Sequence, residues 1–421
     1  MSSPTVVPAR KTMEKYTGLS RSPVESVARA AAVNPSELLS RPGEEDFDTT
    51  DIFPWIANWL KTAGSTRFSF DPYPATGEQG HYDLSGLLAA DGSIRIGLAG
   101  DWGTGTDVAD QVAKSMVSTN PELTIHLGDI YYVGTGEEVQ ENCLGVNGNY
   151  EGVLWRHGTK GSFALNGNHE MYSGGSPYLD DFLPTLGIPT TEDRQQLRSY
   201  FCLEAPQWRI VAIDTGYNSD AGGGDCTLPQ PLLDWLQNVV NPIGNPKPTV
   251  LMSHHQWFSG FGDGDYPKPA QQLAAAGFFK NQQFVWLWGH EHRLALFYPY
   301  KSSGKTPLSC YARCIGHGGM PLEQASAAFP NEERVQRVEY WDNPDLHPGR
   351  FTKLSDGTLV GTNGYAMMTI QGASLSLEYF DADGSSILKE SFTPGGGAAW
   401  DGTLTRTVVS DPGVLNKMIY E

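Results

Sequence analysis

The chain has 421 residues, 39% of them hydrophobic, and its 29 basic and 48 acidic side chains give a formal net charge of −19. A chain of this length and apolar content can bury a large core. Its acidic balance argues against nucleic acid and against an anionic membrane as partners, because both require a basic surface. The sequence shows neither a run of about 18 apolar residues nor the apolar stretch of a secretory leader. We therefore expect a cytoplasmic protein, with secretion as the alternative.

The first 80 residues differ in sequence pattern from the rest of the chain. They contain helical patterns at 24–32 and 51–62, and no apolar run there is followed by metal-binding side chains. We expect residues 1–80 to form a largely helical N-terminal extension. It would pack on the main domain near the entrance of a cleft.

Short apolar runs and helical patterns alternate from residue 94 to about 299, as a layered α/β fold requires. The pattern predicts a main domain over 81–400 and a tail over 401–421. A helix is predicted over 108–117, with Thr106 or Asp107 as its N-cap. From about residue 300 the domain becomes rich in β-structure. Alternating runs there, at 366–370, 375–380 and 387–392, predict strands that complete a second sheet.

Five of the apolar runs are short enough to be buried strands, and polar residues follow each of them at once. The carboxyl ends of such strands are where open α/β sheets bind ligands, and glycine allows the sharp turn that follows. The five segments are Gly100-Asp101-Trp102-Gly103, Gly128-Asp129-Ile130-Tyr131-Tyr132, Gly167-Asn168-His169-Glu170, Ser253-His254-His255 and Gly289-His290-Glu291-His292.

These segments supply carboxylate, amide, phenol and imidazole groups, a mixed set that suits Zn, Fe, Mn or Ni better than Ca or Mg. The set is too large for one ion, which indicates two. An isolated Asp after a strand is more often a turn former or a helix cap, but five such segments in series favour metal binding. Gly103-Thr104-Gly105 could also begin a dinucleotide-binding loop, but the third glycine of that fingerprint is absent.

In this order the segments resemble those of the calcineurin-like metallophosphoesterases, and among them the purple acid phosphatases. Most of the superfamily has a ligand histidine two residues after the first aspartate, where this chain has Gly103. Tyr132, three residues after Asp129, would replace that ligand with a phenolate and so implies Fe(III). The resemblance implies a four-layer α/β/β/α sandwich with two central mixed sheets. One departure is Leu251, three residues before His254, where the family usually has valine.

The resemblance also implies the role of each site residue. It assigns Asp101, Tyr132 and His292 to Fe(III) and makes Asp129 the bridge between the two metals. The second metal, divalent Fe, Zn or Mn, would be held by the remaining ligands, namely Asn168, His254 and His290.

Three further residues are placed around the metals by the same resemblance. His169 would stand beside the substrate phosphate as a proton or hydrogen-bond donor, with Glu170 as its neighbour. His255 would help to neutralise charge during the reaction. Tyr131 would be a packing residue.

The implied reaction is hydrolysis of a small phosphate monoester by a metal-bound hydroxide, without a covalent phosphoenzyme. A phosphodiesterase or pyrophosphatase on the same metals is the second hypothesis. A metal-stabilised binding protein without turnover is the third, and it is disfavoured because all the ligand positions are present.

The five cysteines do not predict a disulfide scaffold in a chain of this length. Two special arrangements stay open. One is a bridge between Cys143 and Cys226. The other is a zinc site at Cys310, Cys314 and His317, for which no fourth ligand is evident, so a strand entering a glycine-rich turn is favoured there.

Overall fold

The structure is a computed structural model that describes residues 62, 65–146, 152–219, 224–261, 264–320, 334, 337–341, 351–353, 359–397 and 400–410. The helix predicted at 24–32 lies outside these residues, as does the one at 51–62 apart from Thr62. The boundaries predicted for the extension and the tail stay predictions.

Strands dominate the described part of the chain, and helices are short. The strands are β1 (His81–Asp83), β2 (Ser93–Ala99), β3 (Leu123–His126), β4 (Gly161–Ala164), β5 (Phe201–Glu204), β6 (Arg209–Ala212), β7 (Thr249–Met252), β8 (Gln283–Trp288), β9 (Leu294–Phe297), β10 (Tyr300–Lys301), β11 (Ser309–Ile315), β12 (Val338–Trp341), β13 (Phe351–Lys353), β14 (Leu359–Gly361), β15 (Gly364–Gln371), β16 (Ser374–Asp381), β17 (Ser386–Pro394) and β18 (Leu404–Ser410). The α-helices are α1 (Asp107–Ser118), α2 (Gly136–Asn142), α3 (Asn168–Met171), α4 (Gln230–Trp235) and α5 (Pro267–Ala275), and single helical turns occur at Ser85–Leu87, Tyr178–Phe182, Leu183–Thr185 and Leu236–Val240.

Within the described residues the strands form two large mixed sheets and the hairpin β13–β14. The seven-stranded sheet has the order β18-β17-β16-β15-β2-β3-β4, in which β2, β3 and β4 are parallel. The nine-stranded sheet has the order β1-β5-β6-β7-β8-β11-β9-β12, with β10 beside β11, and β6, β7, β8 and β11 are parallel. All five apolar runs that precede ligand segments are strands, as predicted. They are divided between the two sheets.

The main core lies between the sheets, because alternate residues of each central strand point inward. Ile94, Ile96 and Leu98 of β2 belong to the same buried cluster as Val285 and Leu287 of β8. Phe284, Trp286 and Trp288 are offset by one residue and belong to a separate cluster on the outer face. Because both faces of these strands are buried, the sequence reads as continuous apolar runs.

Helices cover the outer faces and complete the α/β/β/α order that the resemblance implies. Helix α1 packs Val112 and Met116 against the seven-stranded sheet, and α4 and α5 cover the nine-stranded sheet. The helix predicted over 108–117 is confirmed as α1, and Thr106 is its N-cap, accepting a hydrogen bond from the Ala109 amide. No helix in the described ranges is long and apolar enough to span a bilayer.

The C-terminal strands extend the seven-stranded sheet directly. The three predicted runs are confirmed as β15, β16 and β17, and β15 pairs antiparallel with β2. Strand β18, from the predicted tail, continues the same sheet. At the other end of the chain, Tyr73 Oη donates to the Tyr200 carbonyl at 2.5 Å, so the described end of the extension packs on the domain.

All five cysteines are buried and free, so the bridge between Cys143 and Cys226 is not formed. The zinc hypothesis for Cys310, Cys314 and His317 also fails in the described residues, where these three side chains form no ligand group. Cys314 Sγ instead lies 3.2 Å from the Glu291 carbonyl oxygen. Cys310 and Cys314 are core residues of strand β11, as the alternative reading predicted.

A buried ion pair connects the two sheets. Arg313 of β11 donates from Nε and Nη2 to the two carboxylate oxygens of Glu390 of β17, at 2.6 and 2.8 Å, and both side chains are fully buried. Tyr379 Oη donates to Glu390 Oε1 at 2.7 Å, and Arg406 also donates to the carboxylate. Burial opposes ionisation of Glu390, but Arg313 outweighs it and lowers the pKa of Glu390 to about 2.

We expect Glu390→Gln to lower the free energy of unfolding by about 3–5 kcal/mol, because it leaves the Arg313 charge buried without its partner. The control is Glu378→Gln, which removes an ion pair of 3.1 Å with Lys389 near the surface and should cost less than about 1 kcal/mol. Urea unfolding of both variants measures the difference.

The pH dependence follows from the direction of the shift. The native pKa of Glu390 lies below the ordinary glutamate value of about 4.3. Its contribution is therefore complete above that pH and is lost as the pH falls toward 2. Glu390→Gln should show a smaller loss of stability than the parent protein between about pH 5 and 3. Equal losses would contradict the assigned role.

Candidate metal centre

The predicted ligand segments meet where strands of both sheets end. Asp101 and Asp129 follow β2 and β3, and Asn168 begins α3 beyond β4. From the other sheet, His254 follows β7 and His290 follows β8. Asp101, Asp129 and His290 have positive φ values of 56°, 76° and 65°, a conformation that is uncommon outside glycine and concentrates at functional sites.

Two glycines are needed because the ligand loops approach so closely. A Cβ at Gly103 would lie 2.7 Å from the Asp129 carbonyl oxygen, so a histidine could not occupy this position without moving the backbone. Gly128 has φ +100°, and a Cβ there would lie 2.6 Å from His254 Nδ1. The fold therefore has no room at position 103 for the histidine that most of the calcineurin-like superfamily has there.

The first ligand set contains four atoms around one point. Tyr131 Oη lies 2.9 Å from Asp101 Oδ1, 3.2 Å from Asp129 Oδ2 and 2.9 Å from His292 Nε2. His292 Nε2 lies 3.6 Å from Asp101 Oδ1. All four residues are buried.

The second ligand set shares Asp129 with the first. Asn168 Oδ1 lies 3.1 Å from His254 Nε2 and 3.0 Å from His290 Nδ1. His254 Nε2 lies 3.2 Å from Asp129 Oδ1. Asp129 thus presents one carboxylate oxygen to each set, which is the arrangement of a bridging ligand.

The donor atoms of both sets fit metal ions. Metal–ligand distances of about 2.0–2.2 Å place neighbouring ligand atoms roughly 2.8–3.6 Å apart in octahedral or tetrahedral geometry, and the observed separations are 2.9–3.6 Å. The converging carboxylate, amide and imidazole atoms carry lone pairs, which favour a cation between them. Burial lowers the pKa of His292 to about 3, so its imidazole is neutral, the form that binds metals.

The surroundings of His254 also favour a positive charge at this place. Burial lowers its pKa, but Asp129 outweighs that effect and raises the value to about 10. Nδ1 lies 2.9 Å from the Leu127 carbonyl oxygen and donates to it, so Nε2 is the atom that faces Asn168 and Asp129. A proton or a metal ion at Nε2 is required to hold these acceptors together.

Surrounding hydrogen bonds orient the ligands. The His290 amide donates to Asp101 Oδ2 at 2.7 Å, which leaves Oδ1 for the first set. Asn168 Nδ2 donates to Tyr172 Oη at 2.8 Å, which turns Oδ1 toward the second set. Such contacts fix ligand atoms before a metal binds.

Tyr131 is not a packing residue, and that prediction was wrong. Its hydroxyl lies among Asp101, Asp129 and His292, the residues with which the resemblance groups Tyr132. Tyr132 instead directs its backbone amide to Glu138 Oε1 at 2.5 Å and its carbonyl to His169 Nδ1. The assignment of Tyr132 as a metal ligand stays a prediction.

His169 lies beside the first set, and its role as a proton or hydrogen-bond donor to the substrate phosphate stays a prediction. Its Nδ1 donates to the Tyr132 carbonyl, which leaves Nε2 toward the metal centre, 3.8 Å from Asp129 Oδ2. The neighbouring Glu170 is fully buried and accepts from the Gly167 amide at 3.1 Å. Burial, reinforced by Asp129, raises the pKa of Glu170 to about 8.

His255 lies beside the second set, against the ring of His290 at a centroid distance of 4.4 Å. Its amide donates to Thr215 Oγ1 at 3.0 Å, and its Nδ1 lies 3.2 Å from the same oxygen. Tyr266 packs against both rings, with its centroid 4.8 Å from that of His255 and 5.5 Å from that of His290. Among the described residues, the ligand atoms of His254, His255 and His290 also lie close enough to hold one ion.

Sequence reasoning missed Thr215 and Glu138 and did not assign Tyr266 a partner. Glu138 could have been identified from the sequence, because Thr135-x-x-Glu138 is a capping box that begins α2. Thr215 lies in a loop with no comparable signal. Arg293, next to His292, is buried with its guanidinium 3.8 Å from the centroid of the Phe261 ring.

The sequence model of the calcineurin-like phosphoesterase family matches residues 94–294, which include all five ligand segments. No curated protein matches the chain at a significant level.

Several solved structures are similar to this chain. GAP50, the anchor in the inner membrane complex of Plasmodium, has 10% identity and a TM-score of 0.42, over 70% of this chain and 87% of that chain. PhoD has 14% identity and a TM-score of 0.44, over 77% and 74%. A conserved uncharacterised protein from Streptococcus pneumoniae TIGR4, described as a predicted phosphoesterase, has 9% identity and a TM-score of 0.27, over 75% and 98%. At these scores the likenesses carry no argument about this chain.

We expect single ligand changes to separate the two ions. Asn168→Ala should reduce the metal content from about two ions per chain to about one, whereas Asp129→Ala should weaken the binding of both. The exposed Asp234 of α4 provides the control, and Asp234→Ala should keep the parent stoichiometry. Elemental analysis after equilibration with Zn(II) measures these values. Equal effects of Asn168→Ala and Asp129→Ala would contradict a bridging role for Asp129.

Proposed function

We propose, from the premise that residues 94–294 belong to the calcineurin-like phosphoesterase family, that this chain hydrolyses small phosphate monoesters at a binuclear metal centre. Membership of the family makes the chain a metal-dependent phosphoesterase. The observation that supports the finer proposal is the pair of ligand sets that share Asp129, with His169 beside one set and His255 beside the other.

Charge differs between the two ligand sets and supports unlike metals. An ion in the first set would be held by two carboxylates, the phenol of Tyr131 and the imidazole of His292. An ion in the second set would be held by Asn168, two imidazoles and one oxygen of Asp129. Hard anionic donors favour a trivalent ion, so we propose Fe(III) in the first set and divalent Fe, Zn or Mn in the second.

When bound, such a pair of ions lowers the pKa of a coordinated water and neutralises charge on a phosphoryl group. The chain's own residues hold the substrate in place. His169 and His255 have Nδ1 engaged by the Tyr132 carbonyl and by Thr215 Oγ1, respectively. Each ring can therefore present Nε2 to a phosphate oxygen or to the leaving group. Because Nδ1–H is engaged by the Tyr132 carbonyl, His169 would have to be the imidazolium, protonated at both nitrogens, to pass its Nε2 proton to the leaving alkoxide as the bond to phosphorus breaks.

The acidic surface supports a small substrate. A net charge of −19 repels long polyanions, while two buried cations would attract a single phosphate group. A monoester dianion would place more negative charge between the ions than a diester does. The second hypothesis, diester or pyrophosphate hydrolysis, has no separate structural observation in its favour.

We expect His169→Ala to lower kcat for p-nitrophenyl phosphate by about 10²–10⁴-fold, because the leaving group loses its proton donor. Metal content should stay at the parent value, because His169 belongs to neither ligand set. His157, an exposed histidine outside the site, supplies the control variant His157→Ala, which should keep the parent rate. Rates are measured with metal analysis of the same samples.

The proposed preference for monoesters is tested by comparing a monoester with a diester. The parent protein should hydrolyse p-nitrophenyl phosphate with a higher kcat/KM than bis(p-nitrophenyl) phosphate. The reverse preference would replace the monoester assignment with a diester one. A protein that binds two metals and hydrolyses neither compound, nor pyrophosphate, would support the binding-protein hypothesis.

A further inference from the structure

We propose that Tyr131, rather than Tyr132, supplies the phenolate oxygen to the metal ion held by Asp101, Asp129 and His292. The inference rests on the proposed binuclear centre. It changes which tyrosine would be the phenolate ligand of that centre. The ligand would follow Asp129 by two residues, whereas the family spacing is three.

The first argument is the number of protons available around Tyr131 Oη. Its three neighbours are Asp101 Oδ1 at 2.9 Å, Asp129 Oδ2 at 3.2 Å and His292 Nε2 at 2.9 Å. A phenol donates one hydrogen bond. When both carboxylates are ionised, His292 can donate to the phenol and the phenol can donate to one carboxylate, but the other carboxylate oxygen still faces Oη without a proton between them. One cation bound by all four atoms removes this conflict.

The second argument is that the backbone holds Tyr131 in this position from both sides. Its amide donates to the Gly103 carbonyl at 2.9 Å, and its carbonyl accepts from Asn142 Nδ2 at 2.7 Å. The ring packs against His169 at a centroid distance of 4.3 Å. The side chain is 1% exposed.

The third argument is that the peptide groups next to Tyr132 are engaged elsewhere. Glu138 accepts from the amides of Tyr132 and Val133, and the Tyr132 carbonyl accepts from His169 Nδ1. These contacts fix the backbone on both sides of Tyr132. For Tyr132 Oη to replace Tyr131 Oη, the loop would have to give up the Glu138 and His169 contacts. The orientation of the proposed proton donor thus depends on the same turn.

The experiment compares Tyr131→Phe with Tyr132→Phe, two adjacent changes that each remove only one hydroxyl group. Each apoprotein is reconstituted with Fe(III) and Zn(II), and the visible spectrum and metal content are recorded. A tyrosinate bound to Fe(III) gives a charge-transfer band. We expect the band in the parent protein and in Tyr132→Phe, and its loss in Tyr131→Phe together with an approximately tenfold or greater loss of iron affinity.

Loss of the band in Tyr132→Phe, with retention in Tyr131→Phe, would overturn the proposal in favour of the family spacing. Retention in both variants would also overturn it. The Tyr132→Phe result decides the question even if Tyr131→Phe does not fold. A band that survives in folded Tyr132→Phe cannot come from Tyr132. A band that is lost from folded Tyr132→Phe contradicts Tyr131 as its source. Circular dichroism of each variant establishes which case applies.

Failure of the ferric proposal gives a different result. If the reconstituted parent protein binds two ions but shows no band, Fe(III)–tyrosinate is wrong, and the role of Tyr131 is then measured with Zn(II) alone. Chelator competition should show one of two zinc ions bound about tenfold or more weakly in Tyr131→Phe and unchanged in Tyr132→Phe. Parent-like zinc affinity in Tyr131→Phe overturns the inference. A parent protein that binds no metal sinks both proposals.

Discussion

Seven side chains direct lone pairs toward two points in the interior of this protein, and the compensation of those lone pairs governs the rest of the site. Buried carboxylates and amide oxygens that face one another are strongly destabilising unless positive charge lies between them. The two cations that we propose would satisfy this requirement, with Asp129 contributing to both. The neighbouring donors act on the opposite atoms: the His290 amide occupies Asp101 Oδ2, and the Leu127 carbonyl occupies His254 Nδ1. The fold thus selects which atoms remain available before any ion binds.

Each ligand set combines atoms from both sheets, so the registration of one sheet against the other determines the site. In the first set His292 comes from the nine-stranded sheet and the other residues from the seven-stranded sheet. In the second set His254 and His290 face Asn168 and Asp129 across the same boundary. Functional geometry tolerates errors of only about 0.5 Å. We therefore expect the inter-sheet core and the buried pair of Arg313 and Glu390 to keep the two halves of the site in register.

Much of this arrangement could be predicted from the sequence because its signals are periodic or local. Strands buried on both faces appear as short apolar runs, the cap of α1 is a threonine at its first turn, and polar residues after strand ends must lie at a sheet edge. The roles of Tyr131, Thr215 and Tyr266 have no such signal. They depend on where irregular loops cross, and a loop has no period that relates position in sequence to direction in space.

Tyr131 and Tyr132 show why motif spacing works in one segment and is insufficient in another. Spacing predicts direction reliably when the intervening backbone is regular or is held by the same contacts in every member of a family. Here the turn after β3 is fixed by Glu138, by the Gly103 carbonyl and by His169, and these contacts determine which of two adjacent phenols faces Asp101. A metal ion responds to the position and charge of an oxygen atom, irrespective of its place in the chain. A one-residue shift can therefore preserve the chemistry of the first set while changing the residue on which it depends.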